Sequence, residues 1–293
     1  MSAAAIRKRP APDQEPRVHG GKKPRYAFGS IRDYEKLEVL GNGAYGVVIK
    51  ARDRRTGKKV ALKWLCGCDL QTITREAGCL AACRGHPSII EIFDVATDAE
   101  TGDFFLVMEL VEGGRTLREE IWKPLDEDVA RRMMRRLLDA AKKIHGAGIV
   151  HRDIKPENVL VSMFGACRVG TMIYTSPEQF AGNLYYSQAV DMWALGCVMA
   201  EILAGETLFV GKTEEDMAAE MSKLRDQISS TGKLDGLEFF DELSEAGREV
   251  LLGLLAFNPD ERLTATEALQ HRWFNEPSAS AGQQYPGFVN LFS

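Results

Sequence analysis

The stretch HRDIKPENVLVSMFGACRVGT, His151 to Thr171, looks like a catalytic loop that runs straight into a peptide-docking segment. A loop of this kind needs a second acidic side chain shortly downstream to hold a metal ion. After Asn158 the next Asp or Glu in the chain is Glu178. A second chemical signal lies upstream, where Leu40-Gly41-Asn42-Gly43-Ala44-Tyr45-Gly46-Val47-Val48 carries glycines at 41, 43 and 46. Glycines let a backbone come close to phosphate groups. Alone, GxGxxG is a weak signal that more often opens a helix in a dinucleotide-binding turn. Here a strand follows it. That argues against the dinucleotide fold and leaves a Gly-rich hairpin as the plain alternative.

These residues need elements to position them. From Tyr34 the segments EKLEVL, GVVIKARD, KKVALKW, IIEIFDVAT and FFLVMEL are rich in β-branched and aromatic residues and bounded by Gly or Asp turns. One helical segment, around Leu70–Cys83, interrupts them. The expectation is a small, mainly antiparallel β lobe with one helix. After about Gly113 the pattern becomes helical. Ala130, Met133, Met134, Leu137, Leu138, Ala141 and Ile144 recur at helical spacing, and Gly146 can end that helix. VDMWALGCVMAEILAG is apolar nearly all round, as a helix buried in mid-lobe must be. GREVLLGLL and TATEALQHRWF read as two further short helices.

The chain has 293 residues, 45% of them hydrophobic and 27% charged. That suits a soluble, intracellular protein of one large domain or two lobes, and no apolar run is long enough for a membrane span. In such a chain the six cysteines read as reduced thiols. Cys66, Cys68, Cys79 and Cys83 fit structural zinc spacings poorly. The net charge of −5 divides into +5 over residues 1–25 and −10 over the rest. Residues 1–30 lack apolar periodicity and read as a disordered basic tail. Arg7-Lys8-Arg9 and Lys22-Lys23-Pro24-Arg25 resemble a bipartite nuclear-localisation signal, so nuclear or cytoplasmic residence is expected. The tail lacks interleaved aromatics and the body is acidic, which argues against nucleic acid as a partner. From Glu276 to Ser293 a small, polar, loosely held tail is expected.

Further signals follow in a fixed order. They are Val60-Ala61-Leu62-Lys63, Thr74-Arg75-Glu76, His151-Arg152-Asp153-Ile154-Lys155-Pro156-Glu157-Asn158, Val169-Gly170-Thr171, Ser176-Pro177-Glu178, Asp191-Met192-Trp193 and Arg262. Together they resemble the eukaryotic protein kinase family over roughly residues 34–274. The resemblance implies an α+β, two-lobed fold over residues 31–275, with a β lobe to about 110 and a helical lobe from about 111. It implies ATP and Mg2+ as cofactors and a protein hydroxyl as substrate. Leu40, Gly41, Asn42, Gly43, Gly46, Val48 and Ala61 would line the nucleotide. Lys63 would hold its α/β-phosphates, oriented by Glu76, and Glu109 to Val111 would form the hinge at adenine, with Met108 behind. Asp153 would steer the substrate hydroxyl proton, Lys155 would neutralise the transferred group, and Asn158 would bind the metal. Glu178 and Arg262 would be a buried ion pair, and Asp191 would brace the loop.

Lys155 after Asp153 resembles the serine/threonine branch. Gly-Ala-Tyr-Gly, Thr72-Ile73-Thr74-Arg75-Glu76 and Leu208-Phe209-Val210-Gly211-Lys212-Thr213-Glu214 resemble cyclin-dependent kinases, and the divergent helix motif with the basic tail resembles their plant F class. The resemblance implies a cyclin or other activator as partner. Thr175 stands where an arginine is expected. The family also expects Asp-Phe-Gly about a dozen residues after the loop asparagine, whereas Met163-Phe164-Gly165 follows Asn158 closely. Nineteen residues separate Asn158 from Glu178. Extended, they span about 63 Å at ~3.3 Å each, enough to connect but not to supply both a hairpin and a long regulatory loop. Phe164-Gly165 is either a shifted remnant of the metal motif or part of a turn, with the motif deleted. Methionine is a poor magnesium ligand in either case. Losing the carboxylate is expected to cost at least about 10²–10³ in rate. A crippled kinase, a pseudokinase binding module, and a mis-joined coding segment are all compatible with the sequence.

Overall fold

The computed structural model describes residues 28–43, 46–162, 172–183, 187–232, 234, 238–275 and 289–291. The basic clusters of the first 27 residues, Ala44-Tyr45, Met163-Phe164-Gly165, Val169-Gly170-Thr171 and residues 276–288 lie outside this set.

Strand alternation builds the smaller lobe. Its elements are β1 (Gly29–Ser30), β2 (Tyr34–Gly43), β3 (Gly46–Asp53), β4 (Lys59–Leu65), α1 (Leu70–Ala82), β5 (Ile92–Thr97) and β6 (Phe104–Met108). The sheet order is β1-β5-β6-β4-β3-β2, antiparallel except for the β1–β5 pair. Successive side chains on a strand point to opposite faces. Ile49, Ala51, Val60, Leu62, Phe105 and Val107 take one face and pack with Ile31, Tyr34 and Ala96 into a small core. Ala61 and Lys63 take the other face. The register sets Lys63 across from Val48 and Leu106, and Ala61 across from Met108. Gly46 is needed at the start of β3. Its φ is +115°, and a Cβ there would stand 2.0 Å from the Trp64 carbonyl oxygen.

The larger lobe is helical: α2 (Leu117–Glu120), α3 (Glu127–Gly146), α4 (Pro177–Phe180), α5 (Ala189–Ala204), α6 (Glu214–Thr231), α7 (Glu238–Glu242), α8 (Glu245–Leu254) and α9 (Ala265–Gln270). The α3 residues singled out by their spacing are all buried. Every residue of α5 from Val190 to Leu203 is buried, as its all-round apolar sequence requires. The last helix is shorter than TATEALQHRWF suggests. His271 is extended (φ −63°, ψ 145°), and a short 3₁₀ turn at Arg272–Asn275 follows. The break lets Trp273 and Phe274 turn into the core.

Three short strands complete the architecture. β7 (Gly114–Thr116), β8 (Val159–Ser162) and β9 (Val289–Leu291) form an antiparallel sheet in that order. Two boundaries drawn from the sequence change. Gly29 and Ser30, placed in a disordered tail, pair with Ala96 and Thr97, and Phe28 meets Phe104 edge to face at 5.6 Å. Val289–Leu291, placed in a loosely held tail, pairs with β8 and packs against α3. Both pieces are too short to carry a periodic signal.

The helical core is centred on Trp193, which is fully buried. Phe209 stacks on it at 6.2 Å, Phe257 meets it edge-on at 5.1 Å, and the Arg262 guanidinium lies 5.3 Å from its ring centre. Trp193→Ala is expected to lower unfolding stability by about 3–5 kcal/mol, the range for aromatic truncation in a packed core. Urea unfolding followed by circular dichroism checks this.

Candidate active site

The cleft face of β4 carries Lys63. The residue is only 5% exposed, so its ammonium is largely out of water and needs a partner. Glu76 supplies it, with Nζ to Oε1 at 2.6 Å. Local sequence explains why Glu76 is there. Asp69 caps α1 by accepting from the Thr72 N–H at 2.8 Å. Ile73 and Leu80 are buried on the inner side of α1. Glu76, three residues after Ile73, shares that side.

Val48, Ala61 and Met108 lie on the same cleft face through their register with β4. Gly41 faces open space, with no atom within 4 Å of the point a Cβ would occupy. Leu40 and Asn42 are exposed, and Gly43 pairs with Gly46 at the end of the hairpin. Past β6, the Glu109 N–H donates to the Glu91 carbonyl at 2.8 Å. Val111 packs so closely on Gly114 that an added Cβ would sit 2.8 Å from its Cγ1. Glu109–Val111 therefore forms a fixed connection between the lobes.

The loop after α3 is held from below. Asp191, 1% exposed at the start of α5, accepts from the N–H groups of His151 and Arg152, each at 2.8 Å. His145 Nε2 is also 2.8 Å from Asp191 Oδ2. Arg152 has φ +69°, an uncommon conformation for a side-chain-bearing residue, costing on the order of 1–2 kcal/mol. The two charge-assisted hydrogen bonds to Asp191 offset that strain. The turn carries Asp153, Lys155 and Asn158 into one cluster. Lys155 Nζ donates to Asp153 Oδ1 at 2.8 Å, and Asn158 Nδ2 donates to Asp153 Oδ2 at 2.6 Å and to its carbonyl oxygen at 2.8 Å. Both carboxylate oxygens of Asp153 are thereby fixed, and the side chain stays 25% exposed.

The donors fit a nucleotide better than they fit a magnesium ion. A buried ion-paired lysine on β4, an open glycine hairpin between β2 and β3 and the connection after β6 all belong to neighbouring strands of one sheet. For the metal, no described residue hydrogen-bonds the side-chain oxygen of Asn158, so it could accept a cation. Among the described residues, no group of three His, Cys, Asp or Glu is placed to hold a metal. Residues 163–171 contain no Asp or Glu. Magnesium is usually held through one or two carboxylates together with phosphates and waters. Asp153, the nearby carboxylate, is already engaged by Lys155 and Asn158.

The docking side is pinned by the expected ion pair. Arg262 donates in bidentate fashion to Glu178, at 2.7 and 3.0 Å, and also to the carbonyls of Ala256 and Ala189. A second network is less visible in the sequence. Arg118 on α2 reaches Glu157 at 2.8 Å, and also contacts Glu201 on α5 and the Tyr174 hydroxyl. The Tyr174 hydroxyl donates to Glu201 at 2.6 Å. Burial pushes the Tyr174 phenol well above its ordinary range, helped by the Glu201 charge. Burial also raises the Glu201 carboxyl, against the pull of Tyr174 and Arg118. The one available signal was an acidic residue inside an otherwise apolar helix.

Glu178 generates two predictions. Burial, the largest single influence, would raise its carboxyl, but the hydrogen bonds and charge of Arg262, with hydrogen bonds from the backbone and Ser176, together hold it below the ordinary range. A depressed folded-state pKa adds stability that is full above the unfolded value, about 4.3, and lost as pH falls through the folded value. The melting temperature should fall below about pH 4, and the part due to this pair should vanish in Glu178→Gln. Glu178→Ala should cost about 3–5 kcal/mol at neutral pH, because Arg262 is left buried without its carboxylate. Thermal melts of the variants across pH check both.

The protein kinase domain family matches the chain in two stretches, residues 34–169 and 165–274. They meet on the segment that the residue count marks as short. The chain is 40% identical over 294 residues to a "Putative cyclin-dependent kinase F-2" of Oryza sativa subsp. japonica, covering 83% of this chain and 90% of that protein. It is 32% identical to cyclin-dependent kinase G-2 of Oryza sativa subsp. indica, over 84% of this chain but only 42% of that protein. Mitogen-activated protein kinase spk1 of Schizosaccharomyces pombe is 32% identical over 90% of this chain and 86% of its own length. A match across both lobes, with relatives at 32–40% identity over most of the chain, makes it a member of the protein kinase family, on the cyclin-dependent-kinase-like serine/threonine branch.

Proposed function

We propose that this chain binds ATP in the cleft between its lobes and transfers the γ-phosphate to a protein serine or threonine hydroxyl only slowly. One observation carries the reading. Lys63 is paired with Glu76, and Asp153 with Lys155 and Asn158, which supports roles in holding nucleotide and steering the acceptor, while among the described residues only Asn158 would be left to meet a metal. ATP would supply the phosphoryl group. Lys63 would hold its α/β-phosphates, Asp153 would take or steer the hydroxyl proton, and Lys155 would offset charge on the group in transit. The backbone of Glu109–Val111 would receive adenine. No step is assigned to magnesium, because the donor set does not suit it.

A regulatory binding module is the second reading, favoured by the lack of any carboxylate in residues 163–171. The activator or partner is a protein, with a cyclin as the class suggested by the relatives' names. The two basic clusters before residue 26 support nuclear residence.

The test is calorimetric ATP binding together with transfer of labelled γ-phosphate to a mixed protein acceptor. Lys63→Met should weaken binding. Asp153→Asn should keep binding and abolish transfer. Met163→Asp should raise transfer by about 10²-fold if it returns one preorganised charged donor. Transfer no greater than in Asp153→Asn, and unmoved by Met163→Asp, would leave the binding module. Absence of ATP binding would remove both the kinase reading and nucleotide control of the module.

A further inference from the structure

β8 follows directly on Asn158, and its first residue, Val159, is fully buried. A strand has two edges on which a ladder can form. One edge of β8 pairs with β7, through Arg115 opposite Val161 and Thr116 opposite Leu160. The other pairs with β9, through Leu291 opposite Val159, Asn290 opposite Leu160 and Val289 opposite Val161. Leu160 and Val161 are therefore paired on both edges, and the edge away from β7 is covered along Val159–Val161 by residues from far along the chain.

Position gives this pairing a consequence for the site. β9 runs antiparallel to β8, so the ladder ends with Leu291 beside Val159, one residue from Asn158. Asn158 in turn holds both Oδ2 and the carbonyl of Asp153. A lone pair of strands three and four residues long is marginal in water, and an open edge would expose unpaired N–H and C=O groups. β9 adds a third strand and packs on α3 as well.

We propose that Val289–Leu291, added as an intramolecular strand along the β8 edge away from β7, positions Asn158, and through it Asp153. The mode is strand addition, in which main-chain hydrogen bonds supply the attachment. The effect on nucleotide binding rests on the function proposed above. The strand addition itself does not.

The test is amide hydrogen exchange of the full chain and of Asn290→Pro/Leu291→Pro. Adjacent prolines remove at least one donor to β8 in either hydrogen-bonding phase. Peptides covering residues 159–162 should exchange at least tenfold faster in the variant, while those of α5 stay protected. Adding a synthetic peptide of residues 282–293 should restore protection at 159–162, and should also restore an ATP affinity weakened severalfold by the variant. Unchanged protection at 159–162 in a folded variant overturns the strand addition. Lost protection with unchanged ATP affinity overturns the positioning role. If the wild-type chain binds no ATP, the kinase reading fails while the exchange data still judge the strand. If the variant unfolds, oxidation of the full-length Val161→Cys/Val289→Cys chain decides. A disulfide between these opposed positions upholds the pairing, and its absence overturns it.

Discussion

Asp191 is a carboxylate almost wholly removed from water, and two backbone N–H groups and a histidine ring nitrogen converge on it. A buried charge is tolerated only when its hydrogen-bonding capacity is filled. Here the filling comes from two successive backbone N–H groups and a histidine ring. Only a sharply turned backbone can aim two neighbouring N–H groups at one side chain, and the left-handed Arg152 provides that turn. Once it is made, the direction of the chain through Asp153, Lys155 and Asn158 is set. The site depends on a charge that never touches a substrate.

Around that anchor, the larger lobe is joined by charges that each bridge different elements. Arg262 ties the docking segment at Glu178 to the carbonyl of Ala189 at the start of α5. Arg118 ties α2 to the catalytic loop at Glu157, to the docking segment at Tyr174 and to the body of α5 at Glu201. Guanidinium suits both positions because its planar fork meets several acceptors at once. The smaller lobe uses one such pair, Lys63 and Glu76, across its sheet and single helix. These interactions cost desolvation, so their value lies in geometry more than in net stability. They fix which elements meet where neighbouring apolar surfaces could slide.

Much of this was legible in the residues. The runs rich in β-branched and aromatic residues marked the strands of the smaller lobe, the one that carries Lys63 among them. The helical spacing of α3 named its buried stripe. The apolar run from Val190 to Leu203 announced a central helix. The order of short motifs pointed to Lys63, Asp153, Lys155 and Asn158 before any distance was known. The illegible parts share a physical cause. Arg118 meets Glu201 across 83 positions, and no local period encodes such a pair. Gly29–Ser30 and Val289–Leu291 are strands of two and three residues, whose conformation is imposed by the edge they join rather than by propensity. The end of α9 was misjudged because Trp273 and Phe274 continue the apolar pattern although the backbone has already turned.

The order in which the small sheet can form departs from the order of the chain. β7 and β8 come together across the sequence of α2 and α3. β9 must wait until every helix of the larger lobe has been made. Joining distant segments carries an entropic cost that local contacts do not, and such pairings form late. During synthesis the strand beside Asn158 therefore spends time with one edge bare, next to a lobe that is otherwise ready to fold. A bare edge accepts any extended chain. Folding of this protein is open to mispairing at the strand that follows Asn158, in the interval before residues 289–291 arrive.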